Sequence, residues 1–237
     1  MLRYREIAEK LAASLRAGGG ATARPLPSES DLGAQFSASR TTIRAALNQL
    51  EKQGLIERRQ GSGTFYRPPQ IAKHLGSLVD FHTEAQAAGR TPTTRVIGLA
   101  KRKANAAEFA LFGADAAREG VVELTRLRSL DGEPAVLQRS WLASSQLGDV
   151  GADKLQGVSL YRYLFEQKGI EVASIEETLE PECVAPEDAA LLQIAPGTAV
   201  FRSHRTARDA AGQVIEVSDN LIRGDLYRFT VHRRLDG

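Results

Sequence analysis

Apolar residues recur at helical spacing from the start of the chain, with Tyr4, Ile7, Leu11 and Leu15 on one stripe that Ala8 and Ala12 widen. This spacing predicts a first helix, ended by Gly18-Gly19-Gly20. Pro25 and Pro27 stiffen the next connection, and Ser28 with Asp31 three residues on has the form of a capping box opening a short helix through Leu32 to Phe36. After Ser37-Ala38, Ser39 is positioned to cap a third helix whose apolar residues Ile43, Ala46, Leu47 and Leu50 follow the i, i+3, i+4, i+7 rule until Gly54. Residues 55–59 and 63–66 then alternate as two short strands about Gln60-Gly61-Ser62, the pattern of a wing.

Beyond Pro68-Pro69 the pattern changes, and residues 70–76 are expected to be a linker between a unit at 1–69 and a larger one at 77–237. The second unit reads as strands at 96–103, 121–130, 135–142, 170–179, 199–206 and 214–222. Helices are expected at 105–112, capped by Asn105 with Glu108, at 159–168, ended by Gly169, and at 186–192. Asp131-Gly132 marks a hairpin turn, and a second turn lies near 209–212. The second half of this unit echoes the first, which suggests a weak internal duplication. The fold class is α+β: a winged helix-turn-helix followed by one mostly antiparallel sheet with helices packed on it.

The third helix carries chemistry on the side it does not bury. At about 100° per residue, Arg40, Thr41, Arg44 and Asn48 project away from the Ile43/Leu47/Leu50 stripe. An arginine fork matches the O6 and N7 acceptors of guanine, while Thr41 and Thr42 can donate to phosphate or touch a thymine methyl. Charge points the same way. The chain is nearly neutral at +2, yet residues 1–69 hold eleven basic against six acidic side chains, a net of +5, leaving −3 on the remainder. A polyanion therefore belongs to the front end.

In the second unit, Arg126 and Arg128 stand two apart on a strand and share a face with Val122 and Leu124. Gln138 and Ser140 share a face of the returning strand, and Glu216 and Ser218 hold the analogous positions in the echoing half. Ser159 opens the helix that carries Tyr161, where a hydroxyl and free backbone N–H groups can receive a phosphate or carboxylate. Together these residues sketch an anion pocket. Alternation alone leaves open whether the Arg126/Arg128 face is the dry one or faces solvent and pairs with Glu123 and Glu133.

Leu26-Pro27-Ser28-Glu29, Ser39-Arg40-Thr41-Thr42-Ile43-Arg44 and Gln60-Gly61-Ser62-Gly63-Thr64-Phe65 resemble the signature of GntR-family bacterial repressors. The resemblance implies DNA contacts from Ser39, Arg40, Thr41, Thr42 and Arg44, with Gln60 and Gly61 of the wing assisting. Ser30 departs from members that carry an arginine there. Residues 75–232 resemble the ligand-binding (UTRA) domain of the HutC subgroup, a fold similar to chorismate lyase, through Ser77-Leu78-Val79-Asp80-Phe81, Leu124-Thr125-Arg126-Leu127-Arg128, Gly132-Glu133-Pro134, Gly157-Val158-Ser159-Leu160-Tyr161 and Arg223-Gly224-Asp225. The implied effector site is Phe81, His82, Arg126, Arg128, Gln138, Ser159, Tyr161 and Glu216. Gln138 and Ile222 differ from the Glu and Tyr usual in sensors of amino-sugar phosphates; a phosphorylated sugar, a phosphonate or a carboxylate all suit the arginine pair.

The expected partners are thus double-stranded operator DNA, a small anionic metabolite and a second copy of the chain in a homodimer. No apolar stretch approaches the roughly 18 residues a bilayer span needs, and no signal core follows the start, so the expected location is the cytoplasm. Cys183 is the only cysteine, and His74, His82, His204 and His232 show no ligand spacing, so no metal or cofactor is expected. The rival class is a lyase-like small-molecule enzyme carrying a DNA-binding head. Against it, the chain has no evident nucleophile–base pair, phosphate loop or metal set.

Overall fold

The computed structural model describes residues 3–17, 24–59, 61–67, 70–74, 80–113 and 118–231. Gly18-Gly19-Gly20, Gln60, Pro68-Pro69, residues 75–79 with the Ser77-Leu78-Val79 motif, and His232 lie outside them. The chain divides into two compact units, 1–71 and 72–237.

In the first unit, α1 (Arg3–Ala17), α2 (Glu29–Phe36) and α3 (Arg40–Lys52) pack around Ile7, Leu11, Leu32, Ile43, Leu47 and Leu50. Both expected caps form. Ser28 accepts from the Asp31 N–H while Asp31 reaches back to Ser28, and Ser39 accepts from the Thr42 N–H at 3.2 Å. The turn between α2 and α3 is made by Ser37 in the left-handed region at φ 47°, which lets two residues reverse the chain. Strands β2 (Ile56–Arg59) and β3 (Gly63–Tyr66) form the wing, and a short β1 (Arg24–Pro25) joins the edge of β3. The proline segment is thus a strand as well as a stiff connector, at an edge where Pro25 has no ladder bond to lose.

The second unit is a six-stranded antiparallel sheet in the order β5-β6-β7-β10-β9-β8. Its strands are β5 (Pro92–Arg102), β6 (Val121–Leu130), β7 (Glu133–Ala143), β8 (Ser174–Cys183), β9 (Ala199–Arg208) and β10 (Val214–Arg223). Helix α5 (Ala106–Phe112) lies between β5 and β6, capped by the Asn105/Glu108 box. Further on come α6 (Ser144–Leu147), α7 (Ala152–Leu155) and α8 (Leu160–Lys168), and then α9 (Pro186–Leu192) between β8 and β9. The duplication is therefore topological: two β-α-β-β units joined through β7 and β10.

The two sheet faces differ in cover. Leu127, Leu137, Val200 and Leu221 pack with Ala189 and Leu192 of α9 on one face. Val122, Leu124, Leu142 and Ile215 pack with Leu160 and Leu164 of α8 on the other. Asp131 at φ 52° and Gly132 at φ 85° make the expected hairpin turn.

Several boundaries shift for physical reasons. The last strand before α9 starts at Ser174 rather than Ile170, because Ile170 N–H bonds back to Leu164 and Ile170 and Val172 pack on the α8 cluster. It also runs through Pro181, tolerated because β8 is the sheet's edge. Within the expected linker, Ile71–His74 form β4, paired with β11 (Tyr227–Thr230). Helix α4 (Phe81–Ala87) follows, its N-terminus capped by Asp80 accepting from His82 N–H at 2.9 Å. No helix among the described residues is long and apolar enough to cross a membrane.

Candidate functional site

On α3 the buried stripe fixes the outward face. With Ile43, Ala46, Leu47 and Leu50 in the core, Arg40, Thr41, Arg44 and Asn48 are exposed. Both arginines converge on Glu29 at the start of α2, Arg40 Nε at 3.3 Å and Arg44 Nε at 2.9 Å from Oε2. One carboxylate thus holds two long side chains side by side, a role for Glu29 that helical periodicity cannot reveal. Ser39 is committed to its cap, its Oγ also 2.8 Å from Thr42 Oγ1, so any DNA contact from Ser39 is shared with the helix start. In the wing, Gly61 at φ 74° and Gly63 at φ 104° form the exposed turn, conformations that a side chain would strain. Arg59 lies over the Phe65 ring at 4.8 Å.

In the second unit the register lines polar side chains across the face that α8 covers only in part. Val96, Arg126, Gln138, Asn220, Ser203 and Leu179 form one row, and Leu124, Ser140, Ser218, Arg205 and Glu177 the next. Arg126 is 2 % exposed, so the arginine side of β6 is dry rather than solvent-facing. The competing pairings are taken elsewhere: Glu123 meets Arg102 and Glu133 meets Arg223. A cavity of about 840 Å³, its open mouth included, lies over this belt.

All eight expected effector residues line that cavity: Phe81 and His82 of α4, Arg126 and Arg128, Gln138, Ser159 and Tyr161 at the start of α8, and Glu216. Arg126 donates to Gln138 Oε1 at 3.0 Å, while Arg128 stacks over Phe81 at 5.2 Å from the ring centre. Neither guanidinium has a carboxylate at ion-pairing distance among the described residues, and Nε of each is buried without a partner. Tyr161 donates to Glu216 Oε2 at 2.5 Å, which leaves Oε1 unpaired. Ser159 makes no side-chain cap bond to α8, so its hydroxyl is free for another acceptor.

Electrostatics follow from this geometry. Burial, reinforced by Arg128, pushes the Arg126 pKa down to about 9, with Glu216 and Tyr161 opposing. Burial lowers Arg128 as well, against the pull of Glu216. Burial and then Arg128 lower the pKa of His82, favouring the neutral imidazole. Burial and Glu216 hold the Tyr161 phenol well above its ordinary value. Two cations kept out of water without a counter-charge in contact are costly, and a bound anion offsets that cost.

Sequence reasoning missed Lys73, Glu84, Glu177, Ser203, Arg205, Asn220 and Tyr227, which also line the cavity. For two of them a signal existed. In the second repeat β9 corresponds to β6, so Ser203 and Arg205 are the counterparts of the Arg126/Arg128 pair. Lys73 was hidden in the expected linker, and the others become neighbours only through strand pairing and helix docking.

A basic helix face on a winged helix-turn-helix, joined to a domain with a lined cavity, defines a DNA-binding transcription regulator with a ligand-binding domain. Residues 3–65 match the model of bacterial regulatory proteins of the gntR family, and residues 87–228 match the UTRA domain. The chain belongs to the GntR family of bacterial regulators, in the form that carries a UTRA domain, and it is a regulator rather than an enzyme. It is 29% identical over 226 residues to the HTH-type transcriptional repressor NagR of Bacillus subtilis, covering 95% of this chain and 92% of NagR. It is 26% identical over 229 residues to the mannosyl-D-glycerate transport/metabolism system repressor MngR of Escherichia coli, covering 96% and 94%. The crystal structure of PhnF from Mycobacterium smegmatis superposes with a TM-score of 0.71 at 26% identity, covering 97% of this chain and all of that one.

Proposed function

We propose that this protein is a cytoplasmic, homodimeric repressor of the HutC subgroup, released from a palindromic operator when a small anionic metabolite enters the cavity of the second unit. Residues 1–69 act as the DNA-binding unit, 70–76 as the connection, and 77–237 as the effector-binding and dimerisation domain. Arg40, Thr41, Thr42 and Arg44 read bases and phosphates in the major groove, Ser39 positions the helix start, and Gln60 and Gly61 bring the wing to the backbone. Two such helices in one dimer fit half-sites about 34–36 Å apart.

One observation carries the effector half of this reading: Arg126 is buried and Arg128, half-buried with its Nε out of water, stands two residues on along the same strand face, and neither has a carboxylate in contact among the described residues. Phe81, His82, Gln138, Ser159, Tyr161 and Glu216 complete the wall. A sugar phosphate, a phosphonate or a carboxylate supplies the missing charge. A 100-fold loss of operator affinity requires about 2.7 kcal/mol of coupling, and by reciprocity the operator weakens the ligand by the same factor.

A thermal-shift screen of sugar phosphates, phosphonates and carboxylates on wild type and Arg126→Met, followed by operator-binding anisotropy with each hit, tests the reading. The expected hit stabilises wild type, leaves Arg126→Met unmoved and releases DNA. Ligands that stabilise both proteins equally, or that leave DNA binding unchanged, would overturn it.

A further inference from the structure

The cavity has a second polar end that an anion on Arg126 and Arg128 leaves unused. Lys73 on β4, Glu84 on α4, Glu177 on β8 and Arg205 on β9 all line it. Among themselves these two cations and two carboxylates balance, with Arg128 also felt by Lys73 and Glu84, whereas Arg126, Arg128 and Glu216 leave the other end net positive. The neutral balance is not reached by tight pairing. Arg205 Nε makes a loose ion pair with Glu177 at 3.6 Å, beyond hydrogen-bond range, and is buried without a hydrogen-bond partner. Glu177 spends its Oε1 on the Ser203 hydroxyl at 2.5 Å. Lys73 and Glu84 are half-buried, and neither reaches an ion-pair contact among the described residues. Tyr227, 3 % exposed, adds a buried hydroxyl with no partner. Burial pushes Lys73 down and Glu84 up from their ordinary pKa values, with Glu84 and Glu177 drawing Lys73 back and Lys73 drawing Glu84 back.

Three kinds of ligand end can be compared against this wall. An apolar end strands the buried Arg205 Nε and Tyr227 hydroxyl and strips the remaining water from the half-buried Lys73 and Glu84. A charged end adds net charge to a balanced cluster and meets a like charge for every opposite one. A neutral group that both donates and accepts satisfies all of them, and hydroxyls do this best because each donates one hydrogen bond and accepts two. We infer that Lys73, Glu84, Glu177 and Arg205 form a second subsite, which takes the neutral, hydroxylated end of an effector whose anionic end sits on Arg126 and Arg128. This rests on the cavity being the effector site and narrows the ligand to an anion with hydroxyls remote from its charge.

Isothermal titration of the full chain with two matched pairs tests it: hexitol 6-phosphate against hexyl phosphate, and gluconate against hexanoate. Within each pair the anion and the chain length are alike and the hydroxyls differ. In at least one pair the hydroxylated member should bind about tenfold tighter, the worth of one or two well-made hydrogen bonds. Lys73→Met and Glu84→Gln should each erase most of that preference and leave the alkyl member's Kd unchanged. Equal or tighter binding of the alkyl member in both pairs, survival of the preference in both variants, or binding of none of the four probes would overturn the subsite. Arg126→Met separates the two readings. If the alkyl anions bind through Arg126 but hydroxyls add nothing, the subsite alone falls; if binding is indifferent to Arg126, the effector reading falls with it.

Discussion

Arg126→Met tests whether the fold carries a charge at its own expense. Methionine keeps most of the side chain's length and removes the guanidinium from a position that is 2 % exposed. With the Arg126 pKa pushed down to about 9, the charged form is disfavoured by about three to four orders of magnitude in proton affinity, or about 5 kcal/mol at ~1.36 kcal/mol per factor of ten. That figure is a ceiling, because real interiors respond with an effective dielectric near 20 and relax around a charge. The substitution also removes the donor to Gln138 Oε1, at a cost of about 1 kcal/mol. The net expectation is a ligand-free variant more stable than wild type by about 1–3 kcal/mol, comparable to replacing other buried charges with apolar groups. For a domain of this size that raises Tm by roughly 3–9 °C. Scanning calorimetry in buffer free of phosphate, sulfate and carboxylates reads it. The same variant should lose the stabilisation that an anionic ligand gives wild type. A ligand-free Arg126→Met that melts below wild type would mean that the guanidinium already supports the fold, and the case for an awaited anion would fail.

The same lowered pKa sets a pH dependence. The penalty is full below about pH 9 and fades as pH rises through it, because the folded chain sheds this proton before the unfolded chain does. Anion affinity measured by titration should therefore fall above pH 9, by up to about tenfold per pH unit, and a flat profile would contradict the assignment. Arg44→Ala should weaken operator binding by about 1–3 kcal/mol and reduce the slope of log affinity against log salt by about one, as read by anisotropy across a salt series. Arg223 is 3 % exposed and holds Glu133 at 2.7 Å, Asp225 at 2.6 Å and the Pro134 carbonyl at 3.0 Å. Arg223→Ala should cost about 2–3 kcal/mol in urea unfolding, since it leaves the Pro134 carbonyl and the partly buried Glu133 carboxylate without their donor while Asp225 turns to water. Tyr161→Phe removes the only hydrogen bond to the Glu216 carboxylate among the described residues and should cost about 1–3 kcal/mol by the same measurement.

The amino-acid sequence by itself determined the elements whose signals are local. The Ser28, Ser39 and Asn105 caps, the Asp131-Gly132 turn and the outward face of α3 depend on neighbours within about one helical turn or one hairpin, and they stand where spacing predicted them. Even the shared face of Arg126 and Arg128 was legible, because strand alternation has a period of two. That this face is dry was not. It depends on α8 and α9 choosing opposite faces of a sheet whose strands pair in the order β5-β6-β7-β10-β9-β8, a long-range choice that no local pattern encodes. The same holds for Glu29, which clamps Arg40 and Arg44 from eleven and fifteen residues away. It holds for Lys73 too, which looks like part of a linker until β4 pairs with β11 and brings its ammonium to the cavity wall. Sequence sets what each short segment prefers; register and packing decide which distant charges must share one low-dielectric space.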